Sequence, residues 1–170
     1  MPSASRAAWM RWLTLSAIVV VLDLATKAWV SAAFQYGEVR PVLPFFNLVL
    51  VHNTGAAFSF LAGAGGWQRW FFTGVTILIS AFILVLLRRH HTERVMATAL
   101  ALVLGGALGN LHDRLTLGHV VDFVQLHAAG WYFPAFNVAD SAITVGVALV
   151  IWDSFRPGPR AIAIPQQEKP

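Results

Sequence analysis

No cysteine occurs among the 170 residues, which excludes disulfides, thiolate metal sites and a cysteine nucleophile. Charge is scarce too: Asp, Glu, Lys and Arg make up 12% of the chain, against roughly a quarter in an ordinary soluble domain. So few charged groups leave no polar shell for a conventional water-soluble fold. The formal net charge of +4 does not point to a nucleic-acid partner, because the basic residues are scattered in ones and twos rather than gathered in a patch. Apolar residues are plentiful, at 57%, and they make a membrane protein the first expectation.

A membrane helix needs about 20 mostly apolar residues, fewer if its ends snorkel. Four windows qualify: about 12–30, 70–87, 95–111 and 137–155. The second and third are uncharged, whereas the first carries Asp23 and Lys27 and the last carries Asp140 and Asp153. The expected fold is therefore an all-α membrane bundle of four transmembrane helices, forming a single domain over 1–160, with 161–170 as a disordered tail. Arg6, Arg11 and the apolar run after them imitate a cleavable secretory signal. Asp23 and Lys27 argue for a retained helix instead, since they lie four apart on one face, where they can meet.

Lys and Arg set the orientation. Arg6, Arg11, Arg88, Arg89, Arg94, Arg156, Arg160 and Lys169 fall on one side of the four windows, eight of the twelve basic residues. Both termini are thus expected in the cytoplasm, with about 31–68 and 112–136 outside. Val39 to Val51, broken by Pro41 and Pro44, suits short edge strands, and His119 to Leu126 suits another. A small β-rich extracytoplasmic portion is the expectation, lying on the membrane surface beside the aromatic stretch Trp131 to Phe136.

Polar residues inside a bilayer are expensive and tend to mark function. Five groups gather toward the outer side. Asp23 and Lys27 are explained equally well as a self-satisfied ion pair. Asn53-Thr54-Gly55-Ala56-Ala57-Phe58 reads by itself as an ordinary turn. In Gly105-Gly106-Ala107-Leu108-Gly109-Asn110-Leu111-His112-Asp113-Arg114 the glycines suit close helix packing, which leaves Asn110 and Arg114, four apart on one face, unexplained. Asp122 reads as a surface carboxylate, and Asn137 and Asp140 as a helix cap with its dipole partner. A strand returning toward the last helix would also bring Asp122 and Asp140 face to face as a carboxylate pair.

Taken in order, Asp23-x-x-Thr-Lys27, Asn53-x-Gly55, Gly105-Gly106-Ala-x-Gly109-Asn110-x-x-Asp-Arg114, Val121-Asp122-Phe123 and Phe136-Asn137-x-Ala139-Asp140-Ser141 resemble bacterial lipoprotein signal peptidase, the type II signal peptidase. The resemblance covers all but the two tails, with His112 as a departure that bears on local packing only. It implies an intramembrane aspartic endopeptidase that cuts just before the lipidated cysteine of diacylglyceryl-modified prolipoproteins, with Asp122 and Asp140 as the catalytic pair. Asn53, Gly55, Asn110, Arg114 and Asn137 then line the site, and Asp23 and Lys27 support it. The partners implied are prolipoproteins and membrane lipids, with no nucleic acid, and the protein acts as a monomer in the inner membrane. No metal or other cofactor is expected, since His52, His112, His119 and His127 show no closely paired ligand spacing. The small residues Gly105, Gly109 and Gly146 are expected to open gaps between spans for the substrate helix and acyl chains. Two other readings stand beside this one. An ion or proton transporter would carry polar groups through the full membrane depth, and a scaffold would not need both aspartates.

Overall fold

In lipid every backbone N–H and C=O must be satisfied within the protein, so the long apolar runs form helices. The computed structural model describes residues 3–55 and 65–156; Ala56, Ala57, Phe58 and the tail at 161–170 lie outside them. Four helices, α1 (Ser3–Ala33), α2 (Trp67–His90), α3 (Arg94–Thr116) and α4 (Val138–Ser154), alternate with β1 (Val39–Leu43), β2 (Phe46–Asn53), β3 (Val120–Ala128) and β4 (Trp131–Tyr132). Three helical stretches, Ala8–Ala33, Trp67–His90 and Arg94–Thr116, are long and apolar enough to cross a membrane. The expected fourth window coincides with α4. Its 17 residues rise about 25 Å, short of the roughly 30 Å hydrocarbon core.

Both expected strand regions form, and they pair into one antiparallel sheet of order β1-β2-β3-β4. Pro41, which cannot donate to a ladder, sits in the edge strand β1. The β3–β4 hairpin turns through Ala129 and Gly130, both at positive φ. One apolar cluster, Val30, Phe34, Leu50, Val121 and Phe123, fixes the sheet to the end of α1. A second, Ile83, Leu87, Ala97, Leu100 and Leu104, joins α2 to α3.

Helix α3 is the axis on which α1, α2 and α4 all pack, and its small residues make that possible. A Cβ on Gly105 would lie 2.7 Å from Val19 Cβ, and one on Gly146 would lie 2.6 Å from Val103 Cγ2. Backbones therefore approach closely at these positions. This corrects one expectation: Gly105, Gly109 and Gly146 mark closed contacts, not gaps. The opening lies between α2 and α4, with α3 as its floor.

Candidate active site

Asp122 and Asp140 reach one cavity from different elements. The cavity is about 730 Å³ and is lined by Asn53, Asn110, Arg114, Asp122 and Asp140 at its polar end. Thr76 and Ile79 of α2, Val103 and Ala107 of α3, and Ile143 and Thr144 of α4 form its apolar walls. Strand β3 carries Asp122, paired with Val51 across the sheet, and the first turn of α4 carries Asp140.

Three asparagines hold the two carboxylates, and each has its amide orientation fixed by a donor at its oxygen. Asn53 Oδ1 accepts from Gly55 N at 2.9 Å, so its Nδ2 donates to Asp122 Oδ2 at 3.1 Å. Asn137 caps α4: its Oδ1 accepts from Asp140 N at 2.9 Å, while Asp140 Oδ2 accepts from Asn137 N at 3.3 Å. That capping box turns Asn137 Nδ2 toward Asp122 Oδ1, at 2.7 Å. Asn110 Oδ1 accepts from Lys27 Nζ at 3.0 Å, which leaves its Nδ2 to donate to Asp140 Oδ1 at 2.8 Å. All four carboxylate oxygens of the pair thus have an N–H partner.

The charge on Lys27 is shared more widely than an ion pair within one helix. Its Nζ lies 2.7 Å from Asp23 Oδ2 and 2.9 Å from Asp113 Oδ2, with all three side chains buried. Asp23 Oδ1 also accepts from Ala139 N at 2.9 Å, and Asp113 Oδ2 from Val121 N at 3.1 Å. These carboxylates therefore brace the backbone beside each catalytic candidate. A Cβ on residue 109 would fall 2.5 Å from Asp23 Oδ2, so Gly109 leaves the room that Asp23 occupies.

Arg114 donates to Gly55 O at 3.2 Å and Asn110 O at 3.4 Å, and its positive charge faces both Asp140 and Asp122. Burial pushes the Asp122 carboxyl up to about 7, and the neighbouring Asp140 adds to the rise. Donation from Asn53 and Asn137 opposes it.

Every residue singled out in the sequence, Asp23, Lys27, Asn53, Gly55, Asn110, Arg114, Asp122, Asn137 and Asp140, joins this one network. Two residues went unnoticed. Asp113 was visible only as part of its motif, three positions after Asn110. Arg69 gave no signal beyond its charge, yet it donates to Arg114 O at 2.7 Å and Leu115 O at 2.8 Å, closing the end of α3. His112 is exposed, with Nδ1 3.6 Å from Asp113 Oδ1. Contrary to the spacing argument, His52 and His119 do come together, stacked with ring centroids 3.9 Å apart.

The order of the motifs agrees with the comparisons. The family described as signal peptidase (SPase) II matches residues 15–156. The lipoprotein signal peptidase of Paraburkholderia phymatum is 54% identical over 145 residues, covering 85% of this chain and 87% of that protein. Its counterpart from Cupriavidus necator is 57% identical over 145 residues, covering 85% and 83%. A solved bacterial membrane enzyme is similar in fold, with a TM-score of 0.77 at 34% identity over 85% of this chain and 87% of that one. A family model spanning most of the chain and relatives at more than half identity agree that the chain belongs to the signal peptidase II family.

Proposed function

We propose that this chain is an aspartic endopeptidase of the bacterial inner membrane that removes signal peptides from diacylglyceryl-modified prolipoproteins, with Asp122 and Asp140 as its catalytic pair. One observation carries the reading: two carboxylates from separate elements face one cavity, each held by asparagine amides whose orientation is fixed. Two carboxylates in so confined a site do not both ionise easily, so the pair keeps one proton near neutral pH. The ionised partner takes a proton from water as the water attacks the scissile carbonyl. The protonated partner donates to the carbonyl oxygen, and the proton gained from water passes to the leaving amine as the tetrahedral intermediate collapses. Arg114 lies where it stabilises the negative charge that remains.

The cavity's apolar walls on α2 and α4 support lateral entry of a signal peptide that is itself a membrane helix. In this reading α4 is a fourth crossing, its length made up by the cap and the flanking residues, with Asp140 near the outer face and both termini in the cytoplasm. The network is complete within one chain, which supports action as a monomer. A transporter would need polar groups along the whole depth. Here the charged residues of the helices gather at the ends, with the Lys27 cluster and both aspartates at the same one.

Purified protein incubated with a lipid-modified prolipoprotein should release the signal peptide. Asp122→Asn and Asp140→Asn should each lower kcat by about 10²–10⁴-fold, and the double variant should be little worse, because paired groups lose most of their effect at the first substitution. The pH profile should be bell-shaped, its limbs belonging to the pair. Near-normal turnover by either single variant, shown to be folded and membrane-inserted, would refute the assignment.

A further inference from the structure

At the end of the bundle away from the aspartates, the starts of α1 and α3 meet the ends of α2 and α4. Four of the described cations there are unmatched. Among the described residues, Arg11, Arg88, Arg89 and Arg94 have no ion pair and no side-chain hydrogen bond, while the acidic groups nearby are already engaged, Glu93 with His90 at 2.8 Å and Asp153 with Arg156 at 3.5 Å. The opposite end differs: Lys27 and Arg40 have carboxylate partners, and Arg69 and Arg114 bind backbone carbonyls. Orientation by positive charge accounts for arginines at one end. It does not account for how two of them are held.

Arg88 of α2 lies with Cζ 4.6 Å from the centre of the Trp9 ring, and Arg11 of α1 lies 5.2 Å from that of Trp12. The two half-buried tryptophans stand one turn apart on α1. Trp12 Nε1 donates to His91 O at 3.0 Å, which ties them to the α2–α3 turn. A guanidinium from each helix therefore flanks one pair of indoles. Lying over a ring face holds a guanidinium in place without using its N–H groups, which suit a phosphate. Leu13 of α1 and Leu84 of α2 each pack against the α2–α3 core, and α1 and α2 touch each other only sparsely and rest mainly on α3.

We propose that this is a binding site for an anionic phospholipid, its phosphate held by Arg11 and Arg88 and its acyl chains lying along the apolar surface of α1 and α2. The occupant is a lipid rather than free phosphate because the arginines border exposed apolar surface of both helices, with Met10 of α1 and Val85 of α2 uncovered, which a lone anion would leave bare. The bound lipid fastens α1 to α2 where the protein does so weakly.

The test uses the full chain in phosphatidylcholine nanodiscs with increasing phosphatidylglycerol, read by native mass spectrometry and thermal unfolding. Phosphatidylglycerol should be retained about tenfold more strongly than phosphatidylcholine and should raise Tm, and inorganic phosphate should do neither. Arg11→Gln/Arg88→Gln should abolish the preference, whereas Arg89→Gln/Arg94→Gln, with the same change in net charge, should keep it. Arg11→Lys/Arg88→Lys, which retains the charge but not the fork, should weaken it. No preference in the wild type would overturn the proposal, as would equal loss in the two Gln pairs or a Tm rise reproduced by inorganic phosphate. Should the Arg11→Gln/Arg88→Gln pair not fold, the charge-keeping Arg11→Lys/Arg88→Lys pair decides: an undiminished preference in it would overturn the proposal.

Discussion

Asp122 shows how a single carboxyl can cost the fold something that the proposed reaction needs. Its pKa is raised from 3.8 to about 7 in the folded protein, first by burial and then by Asp140. The folded state therefore holds this proton more tightly than the unfolded chain does. The stabilising contribution is fully present below about pH 4 and is lost as pH rises through 7, a loss of roughly 4 kcal/mol. Asp122→Asn has no such titration. Its Tm in detergent should exceed that of the wild type by a margin that widens between pH 5 and 8, while peptide cleavage is lost. A margin independent of pH would show that burial does not hold the proton on Asp122.

At the scale of elements, the end of α3 carries Asn110 and Arg114, and it is held from α2 by Arg69. That guanidinium meets two of the carbonyls a helix end leaves without partners, and it packs against Gly118, whose φ of 83° makes the turn into β3. Arg69→Lys keeps the charge but loses the fork. It should lower apparent stability by about 1–3 kcal/mol, measured by thermal unfolding, and slow cleavage as Asn110 and Arg114 lose their support; an unaltered Tm would count against the clamp. Such a contact is not legible in sequence, because it joins residues 45 apart across two helices and has no periodicity. The strands and helices were legible, since alternation, Pro41 and long apolar runs are local signals. The glycines of α3 suit close packing, as found, and equally suit the gaps also expected of them: small residues permit either, and only their neighbours decide which. The histidine stack escaped notice for a similar reason, because His52 and His119 meet only when β2 pairs with β3.

For the whole molecule, the reading with both termini in the cytoplasm predicts that alkaline phosphatase fused after residue 156 is inactive, whereas fusion in the β3–β4 turn gives active enzyme. An active C-terminal fusion would reverse the orientation and put the aspartates on the wrong face. The candidate site was legible in sequence because its motifs are individually short but fall in a fixed order; what could not be read was that α1, β2, α3, β3 and α4 each supply a part. Asn137 makes the interdependence sharpest. The same side chain starts α4 and grips the carboxylate of a strand fifteen residues earlier. A nascent chain with three helices inserted has Asp122 but neither Asn137 nor Asp140. On the proposed assignment of the catalytic pair, the hydrolase is therefore born inert: cutting power arrives only when the last segment winds and docks, so a half-built copy poses no hazard to the membrane proteins being threaded around it.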